Sequence, residues 1–450
     1  MTSSDRLGTE KVQRLIFSLG WPAALNFLVV AIYNITDVVF VGHWLGPMPI
    51  AAVVIAGMIS FLFSSFGLAI GIGGASIISR ALGEKDKEKA TRVLGNLLIL
   101  VLILSSVIVV TGLVLEGPIL RTFGANGGIF VYASAYYRVI LFGTPLCSLS
   151  MMANSVIQAE GKARTAMLIS LASTGINIIL NPLFIGGFGM GITGSAWATM
   201  SGYILNALLV LYFFASRVGE IRVSYQSFKI DIKLMREIMG IGGILFINII
   251  GTNLFFILLN KRLFKYQQES GVIIYSIVSR VWLSLMIPIV GLEGGIRPVI
   301  GYNFGSQQID RIKVAVHSAI KYGIVISSVL LAMVFSGGDF LIRLFTNDPH
   351  IGSAGLSAMK IVLSFFPLFI MEVTAIAYFQ SIGKPRVALY LILLRYIVLP
   401  IPLLYILSYF FDYQGVLLSF PAVDLLTAIP AFFLIRNELN VRLHKRLFIS

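Results

Sequence analysis

Residues Val93 to Leu115 read VLGNLLILVLILSSVIVVTGLVL, a continuous stretch without a charged side chain. A helix needs about 20 mostly apolar residues to cross a bilayer, so this stretch is long enough for one span. Strands of a membrane barrel are shorter and alternate apolar with polar residues, which this stretch does not. Because lipid offers no partner to the backbone, the stretch predicts a transmembrane α-helix.

The whole chain has a composition like that of this stretch. Of its 450 residues, 57% are hydrophobic and 12% are charged, whereas soluble domains have about 45–50% apolar and about 25% charged residues. We therefore predict an all-α integral membrane protein with 12 transmembrane helices. The predicted spans cover residues 15–41, 50–79, 91–116, 129–157, 164–187, 192–215, 238–263, 271–300, 314–336, 352–380, 386–410 and 414–435.

The net charge of +14 does not indicate a nucleic-acid partner, because most Lys and Arg lie in the termini and in the connectors between the predicted spans. The N-terminus, the even-numbered connectors and the C-terminus hold 23 Lys and Arg, and the odd-numbered connectors hold 5. The positive-inside rule then predicts that both termini are cytoplasmic in a multi-pass protein of the cell membrane. An even number of spans is required, and twelve satisfies it. We expect no cleavable signal peptide, because the polar start is not followed by a short apolar core and a cleavage site.

An internal repeat appears when the chain is shifted along itself so that Pro145 meets Pro367. The same shift brings the motif from Gln158 to Lys162 onto the motif from Gln380 to Lys384. We call this shift the repeat offset. We predict an N-terminal six-helix lobe (1–216), a basic cytoplasmic linker (217–236) and a C-terminal six-helix lobe (237–450). Because six is even, the lobes would be parallel copies related by a pseudo-twofold axis along the membrane normal. Transporters are commonly built this way; the alternative is a duplicated scaffold that transports nothing.

Asp37 is the most informative buried polar residue. It ends the motif Tyr33-Asn34-Ile35-Thr36-Asp37 in the first span, with no basic residue near it in the sequence. Asn34 lies three residues earlier, so the two share a helix face. Burial at low dielectric favours the protonated carboxyl. A carboxyl that takes up a proton or binds a cation suits cation coupling; the alternative is a carboxyl that is hydrogen-bonded in the core.

Asn177 and Asn181 lie four residues apart on one face of the fifth span, and Pro182 follows. Proline removes a backbone donor and loosens the helix there. Two amides beside the Asp37 carboxylate would form a small, oxygen-rich cation site. The alternative is that these amides join neighbouring helices by hydrogen bonds.

The second half has three acidic residues in or at its predicted spans. Glu293 and Arg297 are four residues apart and are spaced to form a structural ion pair. Glu372 and Asp424 have Arg280, Lys360 and Arg395 as candidate partners, or line a cavity instead.

Other chemistry has no support in the sequence. The four histidines are scattered without metal-ligand spacing, and no Gly-Lys-Ser/Thr phosphate loop occurs. The single cysteine, Cys147, has no intrachain disulfide partner. We therefore predict neither an enzyme nor an ATP-driven pump, and no cofactor other than a coupling ion.

These motifs resemble the multidrug and toxic compound extrusion (MATE) family, and the resemblance covers nearly the whole chain. It rests on the order and spacing of the following segments: 33–37 with Gly42 and Gly46-Pro47, 81–83, 177–182, 194–199, 295–298, 301–305, 345–349 and 379–384. The resemblance implies a twelve-helix antiporter that exports amphipathic, often cationic compounds in exchange for H⁺ or Na⁺. A monomer is expected.

In the DinF-like branch of that family, the resemblance implies a cation site that includes Asp37, Asn177 and Thr199, with Asn154 in the substrate cavity. Together with the residues above, the predicted coupling set is Asp37, Asn34, Asn177, Asn181 and Thr199. The predicted substrate cavity contains Tyr33, Met151, Asn154, Glu293, Glu372 and Asp424.

One departure from the family bears on the ion. Many relatives have aspartate where this chain has Asn181, so Asp37 is the only carboxylate of the predicted site. A site with one fewer negative charge holds Na⁺ more weakly. We therefore predict H⁺ rather than Na⁺ coupling, with Asp37 as the ligand if Na⁺ is used.

A flippase of lipid-linked oligosaccharides is the main alternative, because it belongs to the same wider superfamily. Such flippases commonly have fourteen spans and a basic central cavity. Here the count is twelve, but a few basic residues that we expect to be buried, Arg138, Arg280 and Arg395, keep this alternative open. A channel is disfavoured, because two parallel lobes do not form a symmetric ring of filter loops.

Overall fold

The computed structural model describes residues 3–216, 218–222, 228–343, 345–346 and 348–447, without the side chains of Ala31, Asn34 and residues 442–447. Within those ranges the chain is helical and has no strand. The helices are α1 (Asp5–Thr9), α2 (Val12–Leu45), α3 (Pro47–Gly83), α4 (Lys87–Val114), α5 (Glu116–Thr122), α6 (Gly128–Ala159), α7 (Ala163–Pro182), α8 (Ile192–Ala215), α9 (Ile232–Gly242), α10 (Ile244–Gly305), α11 (Ile309–Ser336), α12 (Gly338–Arg343), α13 (Pro349–Leu363), α14 (Phe369–Ser381), α15 (Pro385–Leu393) and α16 (Pro400–Leu447). Two π-helical segments, Leu183–Gly187 and Leu394–Val398, follow α7 and α15.

Ten helical runs among the described residues are long and apolar enough to cross a membrane. Two of them are double: one covers 74 residues from Ile232 to Gly305, and the other covers 57 residues from Pro385 to Val441. α10 loses its helical dihedrals at Gln268 (φ 49°, ψ −137°), and α16 loses them at Asp412 (φ 48°, ψ −128°). Each break divides a run into two spans, so the predicted all-α architecture with twelve spans is confirmed.

The backbone repeats its connectors with the repeat offset found in the sequence. Gly46 has φ 87°, and its counterpart Gln268 has φ 49°. Lys85 has φ 62°, and its counterpart Gln307 has φ 61°. Positive φ is uncommon for residues other than glycine, so its recurrence at matched positions marks the same turn in both halves. The break inside α10 is therefore the counterpart of the connector between α2 and α3.

The chain divides into two compact units. The first consists of Met1–Leu7 and Leu25–Gly243, and the second consists of Gly8–Ala24 and Ile244–Ser450. These units differ from the predicted lobes. Residues Gly8–Ala24, which include the first part of α2, belong with the second unit, and the described part of linker 217–236, together with residues 237–243, belongs with the first.

Close helix packing explains where the first part of α2 lies. A Cβ atom on Gly20 would stand 2.8 Å from the carbonyl oxygen of Gly291 in α10. Small residues let membrane helices approach this closely. The linker is held differently, because the Asn96 side chain of α4 donates to the carbonyl of Lys229 at 3.0 Å and accepts from the backbone N–H of Asp231 at 2.9 Å.

Two buried or half-buried glutamates fasten the chain ends of the first unit. Glu160, fully buried at the end of α6, accepts from the backbone N–H groups of Glu220 (2.9 Å) and Ile221 (3.2 Å). The Glu220 carboxylate in turn accepts from the Ser3 hydroxyl at 2.8 Å and from the Ser4 backbone at 2.7 Å. The N-terminal segment and the linker are thus tied to the same end of α6.

Within the first unit, α3 packs along α6 at a glycine contact that predicts a stability effect. A Cβ atom on Gly67 would lie 2.2 Å from the carbonyl oxygen of Ser148, so Gly67→Ala forces the helices apart. We expect the free energy of unfolding to fall by about 1–3 kcal/mol, measured as a lower unfolding temperature of the detergent-solubilised protein.

Gly57→Ala, also on α3 but with nothing within 4 Å of its Cβ, is the control. It should be neutral or stabilising, because alanine is the better helix former. Equal effects of both variants would contradict the packing argument.

Candidate cation-coupling site

Asp37 lies in the interior of the first unit and is 4% exposed. Its Oδ1 accepts a hydrogen bond from Nδ2 of Asn181 at 2.6 Å, and its Oδ2 accepts one from Oγ1 of Thr199 at 3.1 Å. The hydroxyl of Tyr136 reaches Oδ2 at 3.4 Å. Side chains from α6, α7 and α8 therefore meet on one carboxylate of α2.

The two asparagines of α7 form the second part of this cluster. Nδ2 of Asn177 donates to Oγ1 of Thr199 at 3.2 Å, and Nδ2 of Asn181 lies 3.3 Å from both Oδ1 and the carbonyl oxygen of Asn177. Both asparagines are at most 1% exposed. Oδ1 of Asn181 is buried without a hydrogen-bond partner among the described residues. Within the described part of the chain, the cluster thus keeps one amide oxygen with no donor.

The local sequence explains why the end of α7 is built this way. Pro182 lacks a backbone N–H, so the regular hydrogen-bond pattern cannot continue through it. The chain continues instead as the π-helical turn from Leu183 to Gly187. Such turns are wider than an α-helix and are frequent at functional sites.

The electrostatics of the cluster are those of one negative charge surrounded by neutral donors. The groups that contact Asp37 among the described residues are Asn177, Asn181, Thr199 and Tyr136, and none of them is basic. An uncompensated carboxylate is costly in a membrane interior. A proton or a monovalent cation would balance the cluster.

Among the described residues there is no group of three or more His, Cys, Asp or Glu side chains that could hold a metal ion. Oxygens of Asp37, Asn177, Asn181 and Thr199 are the atoms available to Na⁺. However, Asn181 directs its NH₂ group, not its oxygen, at Asp37, so Na⁺ binding requires that this amide turn.

Two further residues of the predicted coupling set and cavity are Tyr33 and Asn34, and Tyr33 belongs to the cluster. The Tyr33 hydroxyl donates to Oγ1 of Thr199 at 3.2 Å. The side chain of Asn34 is not among the described residues. Tyr136 was missed by the sequence reasoning. The signal was present, because a tyrosine inside a span needs a partner for its hydroxyl.

The predicted cavity residues of α6 lie apart from this cluster. Asn154 and Tyr136 are on the same helix, separated by about 27 Å of helical rise. Nδ2 of Asn154 donates to Oγ of Ser170 at 3.1 Å, and its Oδ1 is buried without a partner among the described residues. Met151 and Asn154 are both half-buried.

The three acidic residues of the second unit that the sequence analysis named are each close to an arginine. Glu293 pairs with Arg297 one turn later on α10. Arg395 pairs with Asp424 and lies near Glu372, its Nε being 3.5 Å from Oε2. Arg395 is thus the residue, among the three basic candidates, that lies beside both acids.

The expectation that Arg138 and Arg280 are buried is wrong. Both are exposed; Arg138 pairs with Glu116 at 2.9 Å, and the Arg280 guanidinium lies 5.9 Å from the centre of the Phe345 ring. Long side chains of this kind can extend their charged end towards a polar environment. Arg395 is the least exposed of the three, with a side chain that is 11% exposed.

Comparison with known proteins agrees with the repeat and the fold. The MatE family model matches the chain twice, at residues 22–183 and 245–406. The multidrug export protein MepA of Staphylococcus haemolyticus (strain JCSC1435) is 28% identical over 431 residues, which is 94% of both chains. A crystal structure of MATE in the bent conformation superposes with a TM-score of 0.93 at 26% identity, covering 99% of each chain.

A second solved structure is an outward-facing multidrug resistance MATE family transporter of the MOP superfamily. It superposes with a TM-score of 0.90 at 26% identity, covering 97% of this chain and 98% of that one. The two family-model matches together span more than half of the sequence. This chain therefore belongs to the MATE family.

Proposed function

We propose that this protein is an antiporter that exports amphipathic, cationic organic compounds by alternating access, driven by a monovalent cation entering through Asp37, with H⁺ favoured over Na⁺. The relatives that carry the name of multidrug export proteins cover nearly the whole chain, which supports the export of organic compounds rather than catalysis. The observation that carries the coupling proposal is the buried Asp37 carboxylate, held by neutral donors from three other helices.

Protonation of Asp37 changes what its neighbours can do. An ionised carboxylate only accepts hydrogen bonds, whereas a protonated one donates as well. Hydrogen bonds to a charged group contribute about 1.5–3 kcal/mol each, so neutralising Asp37 weakens its bonds to Asn181 and Thr199. Because these partners lie on α7 and α8, proton uptake biases how α2 packs against them. That bias is what a coupling site needs.

The arrangement of donors favours a proton over Na⁺. Oδ1 is occupied by the Asn181 amide, but Oδ2 faces the hydroxyls of Thr199 and Tyr136. Thr199 Oγ1 already accepts from Tyr33 and Asn177, but a hydroxyl can either donate or accept. A proton on Oδ2 therefore needs only that the Tyr136 hydroxyl turn from donor to acceptor. Na⁺ needs several oxygens and would have to displace the Asn181 amide.

The flippase alternative rests on the buried Arg395. This guanidinium lies between Glu372 and Asp424, so its charge is more than balanced by two carboxylates. That arrangement disfavours an anionic lipid diphosphate as ligand. Binding of lipid diphosphates but not of cationic dyes to the purified protein would favour the flippase.

Asp37→Asn tests the coupling role directly. We expect dye export driven by a pH gradient in vesicles to fall to the level of vesicles without protein, because the amide cannot take up a proton. The substitution is isosteric, so the unfolding temperature should change little and serves as the folding control. Unaltered coupling in this variant would move the cation site to Glu293, Glu372 or Asp424. Strict dependence of wild-type export on Na⁺ would refute proton coupling.

Asn181→Asp tests why the site prefers a proton. A second carboxylate beside Asp37 supplies oxygen ligands in place of the amide N–H, so Na⁺ should bind about tenfold more tightly, which corresponds to about 1.4 kcal/mol. The measurement is the rise in unfolding temperature with NaCl compared with choline chloride. Asn206→Asp is the matched control, since Asn206 is buried on α8 seven residues after Thr199. A similar Na⁺ response of both variants would count against the specific site.

Cysteine labelling tests the proposed orientation, with both termini in the cytoplasm of a cell-membrane protein. In a Cys147→Ala background, Lys87→Cys lies in an even-numbered connector and Asn126→Cys in an odd-numbered one, and both positions are exposed. An impermeant maleimide should label Asn126→Cys in intact cells and Lys87→Cys only after permeabilisation. The reverse pattern would invert the topology.

A further inference from the structure

A basic cluster near the end of the seventh predicted span is not used by the proposed function. Lys261, Arg262 and Lys265 lie on α10 in the two turns before its helical dihedrals break at Gln268. Of the 5 Lys and Arg in the odd-numbered connectors, these are three. The positive-inside rule disfavours basic residues on that side of the membrane, so this concentration of charge indicates a partner there.

Aromatic rings hold two of the cations where α10 meets α16. The Arg262 guanidinium lies 4.0 Å from the centre of the Tyr405 ring, and Nζ of Lys265 lies 5.3 Å from the centre of the Tyr266 ring. The Tyr266 hydroxyl donates to the carbonyl oxygen of Ser408 at 2.6 Å, which fixes that ring against α16. A ring attracts a cation without neutralising it, so both groups keep their full charge.

No carboxylate pairs with the three cations in the part of the chain that the structure describes. The ion pairs that the structure shows there involve other side chains. The acids of the two adjoining turns are Glu269, just after the break in α10, and Asp412, at the break in α16; both are exposed. Even when both acids are counted, the cluster keeps an excess of one positive charge.

The place of the cluster along its helices indicates the depth of a membrane surface. Lys261 precedes Gln268 by seven residues, and Tyr405 precedes Asp412 by seven, which is about 10 Å of helical rise in each case. Aromatic residues are enriched at the membrane–water interfaces, and Lys and Arg extend their charged ends towards the head groups. The exposed aromatic side chains of these same helix ends are Phe264, Tyr409, Phe410 and Phe411.

The fold does not require charge at these positions. With the repeat offset, the three cations correspond to Val39, Phe40 and His43 of α2. Val39 is exposed, and the Phe40 ring lies 5.7 Å from the Trp44 ring, measured between ring centres. The first unit thus builds the same helix end from two apolar residues and a histidine, so the three charges are specific to the second unit.

We propose that Lys261, Arg262 and Lys265 bind the phosphate of an anionic phospholipid head group at the membrane surface. A guanidinium can donate two parallel N–H bonds to phosphate oxygens, and the flanking ammonium groups add charge without a fixed direction. The excess positive charge suits a lipid with one net negative charge, such as phosphatidylglycerol, better than a zwitterionic lipid. The exposed aromatic side chains nearby suit its acyl chains, which favours a bilayer lipid over a soluble phosphate.

Lipid titration of the purified protein tests this site without any transport. The protein is kept in dodecylmaltoside micelles with phosphatidylcholine, and its unfolding temperature is measured as phosphatidylglycerol is added. We expect a saturable rise for the wild type, because a ligand that binds only the folded state stabilises it. In Lys261→Gln/Arg262→Gln, the half-saturating phosphatidylglycerol concentration should increase about thirtyfold, which corresponds to about 2 kcal/mol, because two basic residues no longer attract the head group.

Arg121→Gln/Arg343→Gln is the matched control. It removes the other two basic residues of the odd-numbered connectors, and both are exposed. This variant should respond to phosphatidylglycerol like the wild type. Equal weakening in the two double variants would overturn the proposal, because it would show a general effect of charge. An equal rise with added phosphatidylcholine, or with soluble glycerol phosphate, would also overturn it.

Two further variants separate binding from folding. Arg262→Lys keeps the charge but loses the paired N–H donors, so it should weaken binding only severalfold. The unfolding temperature in phosphatidylcholine alone checks the fold of every variant. If Lys261→Gln/Arg262→Gln is destabilised there, Lys261→Gln/Lys265→Gln replaces it, because this pair leaves the contact of Arg262 with Tyr405 intact. The same thirtyfold weakening is expected, and wild-type affinity in this variant would refute the site.

Discussion

The cost of placing ionisable side chains within apolar membrane helices is the physical constraint on which the rest of the structure depends. The cost of an uncompensated ion in a membrane interior far exceeds that of an unpaired polar group, so each ionisable side chain in the spans has to be given partners. Asp37 accepts hydrogen bonds from neutral donors on three other helices. Asp424 and Glu293 form ion pairs with arginines. Among the described residues, Asp37 therefore has only neutral hydrogen-bond partners, whereas Asp424 and Glu293 are each paired with a positive charge.

The proposed role of Asp37 depends on its neutral donors. An arginine beside it would hold the carboxylate ionised at all times, since guanidinium does not lose its proton in proteins. Amide and hydroxyl donors stabilise the ionised form less strongly, which is why we propose that this carboxyl changes its charge. Glu372 and Asp424 also have different surroundings: Asp424 receives a direct hydrogen bond from Arg395, whereas Glu372 is left with a more distant Nε and no hydrogen bond among the described residues.

Duplication produced two similar scaffolds with different chemistry. The connectors recur at the repeat offset with nearly the same backbone dihedrals, as at Lys85 and Gln307. The buried polar residues do not recur, because serines occupy the positions of Glu372 and Arg395, and Leu259 occupies that of Asp37. A scaffold set by backbone turns and apolar packing tolerates this exchange, because each polar cluster needs only its local partners.

Hydropathy and residue periodicity determined the membrane class, the twelve spans and the repeat, because these follow from one-dimensional patterns and from the need to pair every backbone group in lipid. The motif around Asp37 and the asparagines of α7 were also visible in the sequence, and the family resemblance added Thr199. Only the tertiary structure showed that Asn181, from a distant part of the chain, contacts Asp37 and that Tyr136 does so as well. It also showed that Arg395 is the arginine beside Glu372 and Asp424. It also placed Arg138 and Arg280 at the surface. Contacts between helices depend on how their faces pack and rotate against one another, and no pattern along a single helix specifies that.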